Sequence, residues 1–445
     1  MQVSVETLSE LERRVTVQVP AERLVKEIQD RLQSLSRRVK VDGFRPGKAP
    51  LKLVNRLYGD QVRYEAVGEL MENSLREALT AEKLNPLGGP KIEPKALEDG
   101  QDLEYSATFE VLPEFDPTGF ESIRVERPSA EVAEQDVDTM LETLRQQRAV
   151  WNAVERPAAE GDRVRIDFEG TIDGQNFAGG KGDNVDVVLG KGAMLKEFED
   201  RLVGLSANAR TEFDLTFPEA YQAKEIAGKT AHFQIEVRAV EEACLPEVDE
   251  AFAESFDVKE NGLTGLRQSL RENMERELRE GIKAAIKRQV LQGLLDANPI
   301  PVPKVLLENE IEQLARQLYF PADRKDEKTQ QLKAQLFEPE ARRRVALGLL
   351  IARLAETQEI KVDNQRVRNY LENMASTYQD PAEVLRWYEQ TPRALDNVRA
   401  LVLEDQIVDW LLERAQVAEK ASTFAEIMKP EPKPSVESLP QELSE

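Results

Sequence analysis

Val164-Arg165-Ile166-Asp167-Phe168-Glu169-Gly170-Thr171-Ile172-Asp173-Gly174-Gln175-Asn176-Phe177 is the stretch on which the reading of the middle of the chain turns. Val164, Ile166 and Phe168 alternate with polar residues, the period of a half-buried strand. Asp173-Gly174 is a hairpin signal, because the two-residue turns that match strand twist need residues tolerant of positive φ. Val185, Val187 and Leu189 alternate again before Gly190. Met194–Leu202 reads as a short helix. Phe213, Leu215 and Phe217 read as a strand stopped by Pro218, and Phe233, Ile235 and Val237 as the last strand. Several short strands and one short helix over 151–245 predict a strongly curved antiparallel sheet wrapped on a helix.

Upstream, residues 3–19 read as strands, with Val15, Val17 and Val19 alternating up to Pro20. Leu24, Ile28, Leu32, Leu35 and Val39 then step by three and four, one face of a helix that ends at Asp42-Gly43. After the loop Gly43–Pro50, two helical stretches are expected, Leu51–Tyr58 and one carrying Val62, Ala66, Leu70 and Leu75. Pro86, Gly88, Gly89 and Pro90 break the pattern, and Leu103, Tyr105, Ala107, Phe109 and Val111 alternate as a strand. This first unit reads as α+β. From Leu97 to Glu142 there are 14 acidic residues against two basic ones, Arg124 and Arg127, so 113–149 reads as a long connector.

Downstream, the chain from Pro246 to about Lys429 reads as all helical. Leu266, Leu270, Met274, Leu278, Ile282, Ile286 and Val290 recur every four residues, and Pro299, Pro301 and Pro303 end that helix. Further helices are expected at Val305–Tyr319, Ala341–Thr357, Asn364–Tyr378 and Arg393–Ala415. The tail from Pro430, rich in Pro and charge, is expected to be disordered.

Composition bounds the function. The chain has 445 residues, room for about two to four domains. Its 60 Lys and Arg stand against 83 Asp and Glu, a net charge of −23. A chain that acidic does not coat nucleic acid or an anionic membrane over its whole surface, so such a contact needs a local basic patch. With one Cys, Cys244, and one His, His232, there is no internal disulfide and no His/Cys metal cluster. A Ser-His-Asp or Cys-His device could only be built on His232, which reads as a rim histidine. No stretch approaches the roughly 20 apolar residues of a membrane span, and Met1–Arg14 carries Glu6, Glu10 and Glu12 rather than a secretory apolar run. The expected location is the cytosol.

Two sets of residues stand out. Between Arg31 and Arg63 nine basic residues face only Asp42 and Asp60, a local charge of +7, and the loop Gly43-Phe44-Arg45-Pro46-Gly47-Lys48 sits among them. A helix–loop–helix tip with an aromatic among cations can dock on a polyanionic surface while Phe44 fills an apolar slot. By composition alone a solvated charged face accounts for it equally well. The second set is Phe168, Phe177, Met194, Leu195, Phe198, Phe217, Tyr221 and Phe233, for which plain core is the stronger reading on spacing alone.

At these residues the sequence resembles the trigger factor family of bacterial chaperones, over nearly the whole chain and in the same domain order. Gly43–Lys48 looks like the family's ribosome-docking loop. The resemblance implies that Gly43, Phe44, Arg45, Pro46, Gly47 and Lys48 bind the ribosome, with Phe44, Arg45 and Lys48 docking at a ribosomal protein and nearby RNA beside the large-subunit exit tunnel. The middle block resembles an FK506-binding-type (FKBP) prolyl isomerase. The matching run is Asp167-Phe168-x-Gly170, Asp173-Gly174, Phe177, Leu189-Gly190-x-Gly192, Phe198-Glu199, Pro218-x-x-Tyr221 and Phe233. The corresponding positions of that family line an apolar cup around a substrate proline, here with Phe198 at the floor. Glu197 stands where many relatives have Gly, and Ala178 where an acid is frequent, so a weak isomerase is expected. X-Pro isomerisation moves no proton and crosses a barrier of about 18–20 kcal/mol, so it needs no His, Cys, metal or other cofactor.

The implied architecture is multidomain α+β. It comprises an N-terminal ribosome-docking α+β domain (1–112) and a connector packing with the C-terminal domain (113–149). An FKBP-like block (150–245), an all-α chaperone domain (246–429) and a disordered tail (430–445) follow. In that domain Asn298-Pro299-Ile300-Pro301-Val302-Pro303 resembles a recurrent stretch of the family. The implied function is ATP-independent: no phosphate-binding GxxxxGK[ST] motif occurs. The chain would hold nascent, unfolded polypeptides at the exit tunnel and isomerise their prolyl bonds, without a membrane partner, and would dimerise when free. The family is also linked by name to cell division, for which nothing in these residues argues. Two other readings stay open: a dedicated prolyl isomerase whose other domains target it, and a helical scaffold with no enzyme activity.

Overall fold

The computed structural model describes residues 1–41, 44, 49–96, 101–218, 221, 226–256, 261–317, 327–376, 378 and 380–429. In chain order these form β1 (Gln2–Thr7), β2 (Glu12–Val19), α1 (Ala21–Arg38), α2 (Leu51–Ala81), β3 (Leu87–Ala96), β4 (Leu103–Glu110), β5 (Arg124–Ser129) and α3 (Glu134–Gln147). The middle holds β6 (Val150–Ala153), β7 (Arg163–Ile172), β8 (Gln175–Val188), α4 (Lys196–Leu202), β9 (Arg210–Thr216) and β10 (Thr230–Cys244). Then come α5 (Glu250–Glu254), α6 (Gly262–Ala297), α7 (Lys304–Gln317), α8 (Glu327–Thr357), α9 (Asn364–Ala375), α10 (Pro381–Gln390), α11 (Pro392–Leu412), β11 (Gln416–Ala421) and α12 (Phe424–Met428). The chain divides into two compact units, interleaved in sequence: Met1–Val125 with Gln289–Gln416, and Glu126–Arg288 with the chain from Val417. No helix among the described residues is long and apolar enough to cross a membrane.

In the first unit an antiparallel sheet of order β1-β2-β4-β3 carries its apolar residues on one face. Val15, Val17 and Val19 pair with Ala107, Tyr105 and Leu103. That face closes on Val67, Leu70, Met71, Leu75 and Ala78 of α2. The Tyr105 hydroxyl, buried there, donates to the Met71 carbonyl at 2.9 Å and meets the Ser74 hydroxyl at 2.8 Å; burial pushes this phenol above its ordinary pKa. Beyond the sheet α1 and α2 continue as a hairpin sealed by Leu32, Val54 and Val62.

Where two helices are expected after Pro50, one continuous α2 runs through Gly59. A mid-helix Gly costs about 1 kcal/mol, and burial of Val54, Val62, Ala66 and Leu70 on either side outweighs it. The Pro86–Pro90 break is in fact the start of β3, an edge strand whose register shifts beside Pro94; edge strands are where prolines are tolerated. The helical region also contains an unexpected strand. Gln416–Ala421 is wholly exposed and has no apolar alternation, yet it forms a two-stranded sheet with β5. Tertiary pairing, with the Gln416 N–H donating to Ile123 at 2.8 Å and that of Ser422 to Ser129 at 2.9 Å, overrides its propensity. α8 begins upstream of Ala341 and passes Pro339, and α10 and α12 add helices that periodicity did not mark. The tail from Pro430 lies outside the described residues.

In the second unit α3 packs Val137 and Leu141 against Leu266, Met274 and Leu278 of α6, with Phe252 beside them. The remainder is the 150–245 block. Long β10 lies between β7 on one side and β9 and β6 on the other, all antiparallel, and β8 extends the sheet beyond β7. The β7–β8 turn is Asp173-Gly174 with φ of 50° and 77°, the two positive values that the dipeptide predicts.

Candidate functional site

The curved sheet folds over α4 and leaves one open cup of about 530 Å³ on its concave side. All eight sequence-predicted residues line it: Phe168 from β7, Phe177 from β8, Met194 and Leu195 from the loop before α4, Phe198 from α4, Phe217 after β9, Tyr221, and Phe233 from β10. Phe233 is the hub. Its ring lies 5.4–6.3 Å from those of Phe168, Phe177, Phe198, Phe213 and Phe217, mostly tilted or edge-on. Phe198 and Phe233 are 4% and 5% exposed, so they form the floor, while Phe168, Phe177, Met194, Leu195 and Tyr221 are half-buried and form the wall and lip.

Two glycines make room for rings of the cup. Gly170 pairs with Phe233, and a Cβ there would stand 2.6 Å from the ring; Gly182 pairs with Phe168, and a Cβ there would come equally close to that ring. The two rings, Phe233 of the floor and Phe168 of the wall, thus each lie across a neighbouring strand at a residue without a side chain.

Three groups lie outside the set of sequence-predicted site residues. Leu215 and Ile226 also line the cup, and Phe213 backs it. The Asp167 carboxylate accepts from the Asn184 N–H at 2.6 Å and from Arg238 Nε at 2.6 Å, and these bonds hold its pKa below the usual carboxylate range. Asp162 is buried, takes a fork from Arg156 at 2.6 and 3.0 Å and accepts from the Ala159 N–H at 2.8 Å. The Arg156 fork is the main cause that holds this carboxyl low, against the opposing effect of burial.

A carboxyl with a lowered folded pKa stabilises the fold above its unfolded pKa, near 3.9, and that contribution is lost as pH falls through the folded value. Asp162→Asn is thus expected to raise amide exchange of β7 and β10 in the full chain by about tenfold at pH 7, the difference from wild type shrinking as pH falls below the unfolded pKa. Equal exchange in the two proteins at pH 7 contradicts it.

His232 sits on the opposite, exposed side of β10 from Phe233 and meets Asp214 at 2.8 Å, a surface pair away from the cup. Cys244 is the exposed last residue of β10. Glu197 lies exposed in the first turn of α4, where an acid suits the helix N-terminus, and Ala178 falls within β8. Of the cup's described lining, the Tyr221 hydroxyl is the sole titratable group. Among the described residues no group of three or more His, Cys, Asp or Glu could hold a metal ion.

The second candidate is the tip of the α1–α2 hairpin. Phe44 is 40% exposed, and its N–H donates to Val41 at 3.0 Å. Gly43, Arg45, Pro46, Gly47 and Lys48 lie outside the described residues. Of the basic residues counted around them, Arg31 is engaged with Glu27 at 3.2 Å and with Glu69, so it braces the hairpin instead of facing a partner. Arg37 and Arg38 fall in the last turn of α1, toward the tip.

Comparison with known proteins matches three stretches of the chain. Residues 1–144 match the family described as bacterial trigger factor protein (TF), 154–238 the FKBP-type peptidyl-prolyl cis-trans isomerases, and 262–413 the bacterial trigger factor C-terminus. The chain is 48% identical over 439 residues to the trigger factor of Ectopseudomonas mendocina (strain ymp), covering 98% of this chain and all of that one. It is also 48% identical to that of Stutzerimonas stutzeri (strain A1501), over 97% of this chain and 98% of the other. A solved structure of the trigger factor chaperone, described for promiscuous substrate recognition in folding and assembly, aligns over 93% of this chain and 99% of its own. Its identity is 19% and its TM-score 0.49.

Proposed function

The chain belongs to the trigger factor family, and from that premise we propose that it docks through the Phe44 tip at the ribosomal exit tunnel, holds emerging unfolded chains, and isomerises their prolyl bonds in the Phe233 cup. It is a chaperone with an FKBP-type peptidyl-prolyl isomerase domain. The assignment of residues within it is the proposal. The observation that carries the isomerase site is a cup of rings whose described lining offers a titrating proton only from Tyr221.

That composition suits the reaction. Water stabilises the planar, resonant amide more than the twisted one. An apolar cup that strips water from the amide and fits the twisted form lowers the barrier without any proton transfer. The proline ring would rest on Phe198 and Phe233, with Phe168 and Phe177 as one wall and Met194 and Leu195 as the lip.

Docking is supported by the exposed Phe44 beyond a helical hairpin with a buried apolar interior, on an otherwise acidic chain. The proposed contacts are a ribosomal protein at the tunnel rim for Phe44 and RNA phosphates for Arg45 and Lys48. Action in the cytosol and dimerisation when free complete the reading, the latter testable by sedimentation equilibrium.

Two measurements test the proposal. The full chain should accelerate cis–trans exchange of a Phe-Pro peptide. The chain with residues 150–245 deleted should still suppress aggregation of an unfolded client. Absence of peptide exchange removes the isomerase site; unchanged client aggregation points to a dedicated isomerase instead.

A further inference from the structure

We infer that Glu199 is a positioning residue of the isomerase cup, holding the loop Gly190–Met194 in the shape that presents Met194 and Leu195 to the substrate. This rests on the reading of the cup given above. Glu199 follows the floor residue Phe198 on α4 but does not line the cup. Its carboxylate is nonetheless buried, at 5% exposure, where a charge needs strong partners.

Among the described residues those partners are main-chain N–H groups rather than a cation. The Gly190 N–H donates to Oε2 at 2.8 Å, the Met194 N–H to Oε1 at 3.0 Å, and the Gly192 N–H adds a longer contact of 3.4 Å to Oε2. Gly190 and Gly192 have φ of +84° and +72°, so this segment belongs to no strand ladder and has no regular pattern to hold it. The carboxylate takes that place. The Glu199 N–H also donates to the Leu195 carbonyl at 3.0 Å, so one residue grips the lip through its main chain and its side chain.

Hydrogen bonds to a carboxylate are roughly twice as strong as neutral ones. A Gln at this position has a single acceptor oxygen and turns an NH2 toward at least one of the N–H donors. The loop then samples shapes in which Met194 and Leu195 no longer form the lip, and the apparent affinity for substrate falls by the fraction of molecules in the competent shape.

The test is Glu199→Gln in the full chain, with exchange spectroscopy of the peptide Ala-Phe-Pro-Phe for KM and kcat, and amide exchange for the fold. The expected result is a KM raised about tenfold, with faster exchange at Gly190 and Met194 and unchanged protection of β7 and β10. A merely structural role would remove folded molecules, lowering the apparent kcat and leaving KM unmoved. KM within twofold of wild type overturns the inference. Should the Gln variant lose protection throughout the block, Glu199→Asp decides. It keeps the charge and withdraws it by one methylene; a raised KM supports the role and an unchanged KM overturns it. Failure of the wild-type chain to exchange the peptide at all overturns the cup reading, and this inference with it.

Discussion

Replacing Phe44, Arg45 and Lys48 together by Ala is expected to abolish co-sedimentation of the full chain with bacterial ribosomes at moderate salt. Phe44 is an aromatic held two-fifths exposed at the end of a hairpin whose interior, Leu32, Val54 and Val62, is already filled. It is therefore not needed as core, and its removal should leave the fold intact. Exposed aromatics and arginines that enter a partner's pocket each contribute about 2 kcal/mol or more, so losing the set lowers affinity on the order of 10³-fold. Phe44→Ala alone should cost roughly thirtyfold at any salt concentration. The Arg45 and Lys48 changes should also flatten the salt dependence, since each phosphate contact contributes a slope near 0.7–0.9. Undiminished binding by the triple variant would move the contact to another part of the basic face. No binding by the wild type would leave a chaperone that works free of the ribosome.

The second large effect is expected at the cup. Phe233→Ala removes a ring that contacts five others, and the residue across from it is Gly170, which has no side chain to move into the space. Deletion of a buried Phe costs about 3–5 kcal/mol, most where the site cannot collapse. The expected outcome is a fall in kcat/KM for a Phe-Pro peptide of more than 100-fold at 10 °C, while suppression of client aggregation persists. Phe233→Leu, which refills part of the volume, should recover much of the loss. A kcat/KM for the Ala variant within threefold of wild type would mean that catalysis happens elsewhere.

Much of this was legible in the residues because local pattern and tertiary role agree. Val15, Val17 and Val19 alternate because one face of β2 is buried, and Asp173-Gly174 turns as its φ tolerance requires. Five of the eight cup residues, Phe168, Phe177, Phe198, Tyr221 and Phe233, stand in the family run by order and spacing; on period alone all eight are indistinguishable from core, and the floor residues Phe198 and Phe233 are in fact both. What escaped was set by partners distant in sequence. Gly59 reads as a break until the residues flanking it are seen to be buried. Gln416–Ala421 reads as helix until β5 is beside it. Glu199 escaped for another reason: it stands in the family run, but neither the run nor the short helix says that the N–H groups of the loop just before it converge on its carboxylate.

The interleaving of the two units bears on how the molecule is made. The isomerase block is continuous and can close as soon as it has been synthesised. The first unit cannot. The Phe120 ring meets Trp410 at 5.2 Å, and the side chain of Ile123 fills the space above Gly293, so its early half ends on surfaces that only the late half covers. At roughly 5–20 residues per second, Trp410 is synthesised some 15–60 s after Phe120. For that interval the newborn chain carries apolar surface, at Phe120 and Ile123, whose cover has yet to be synthesised.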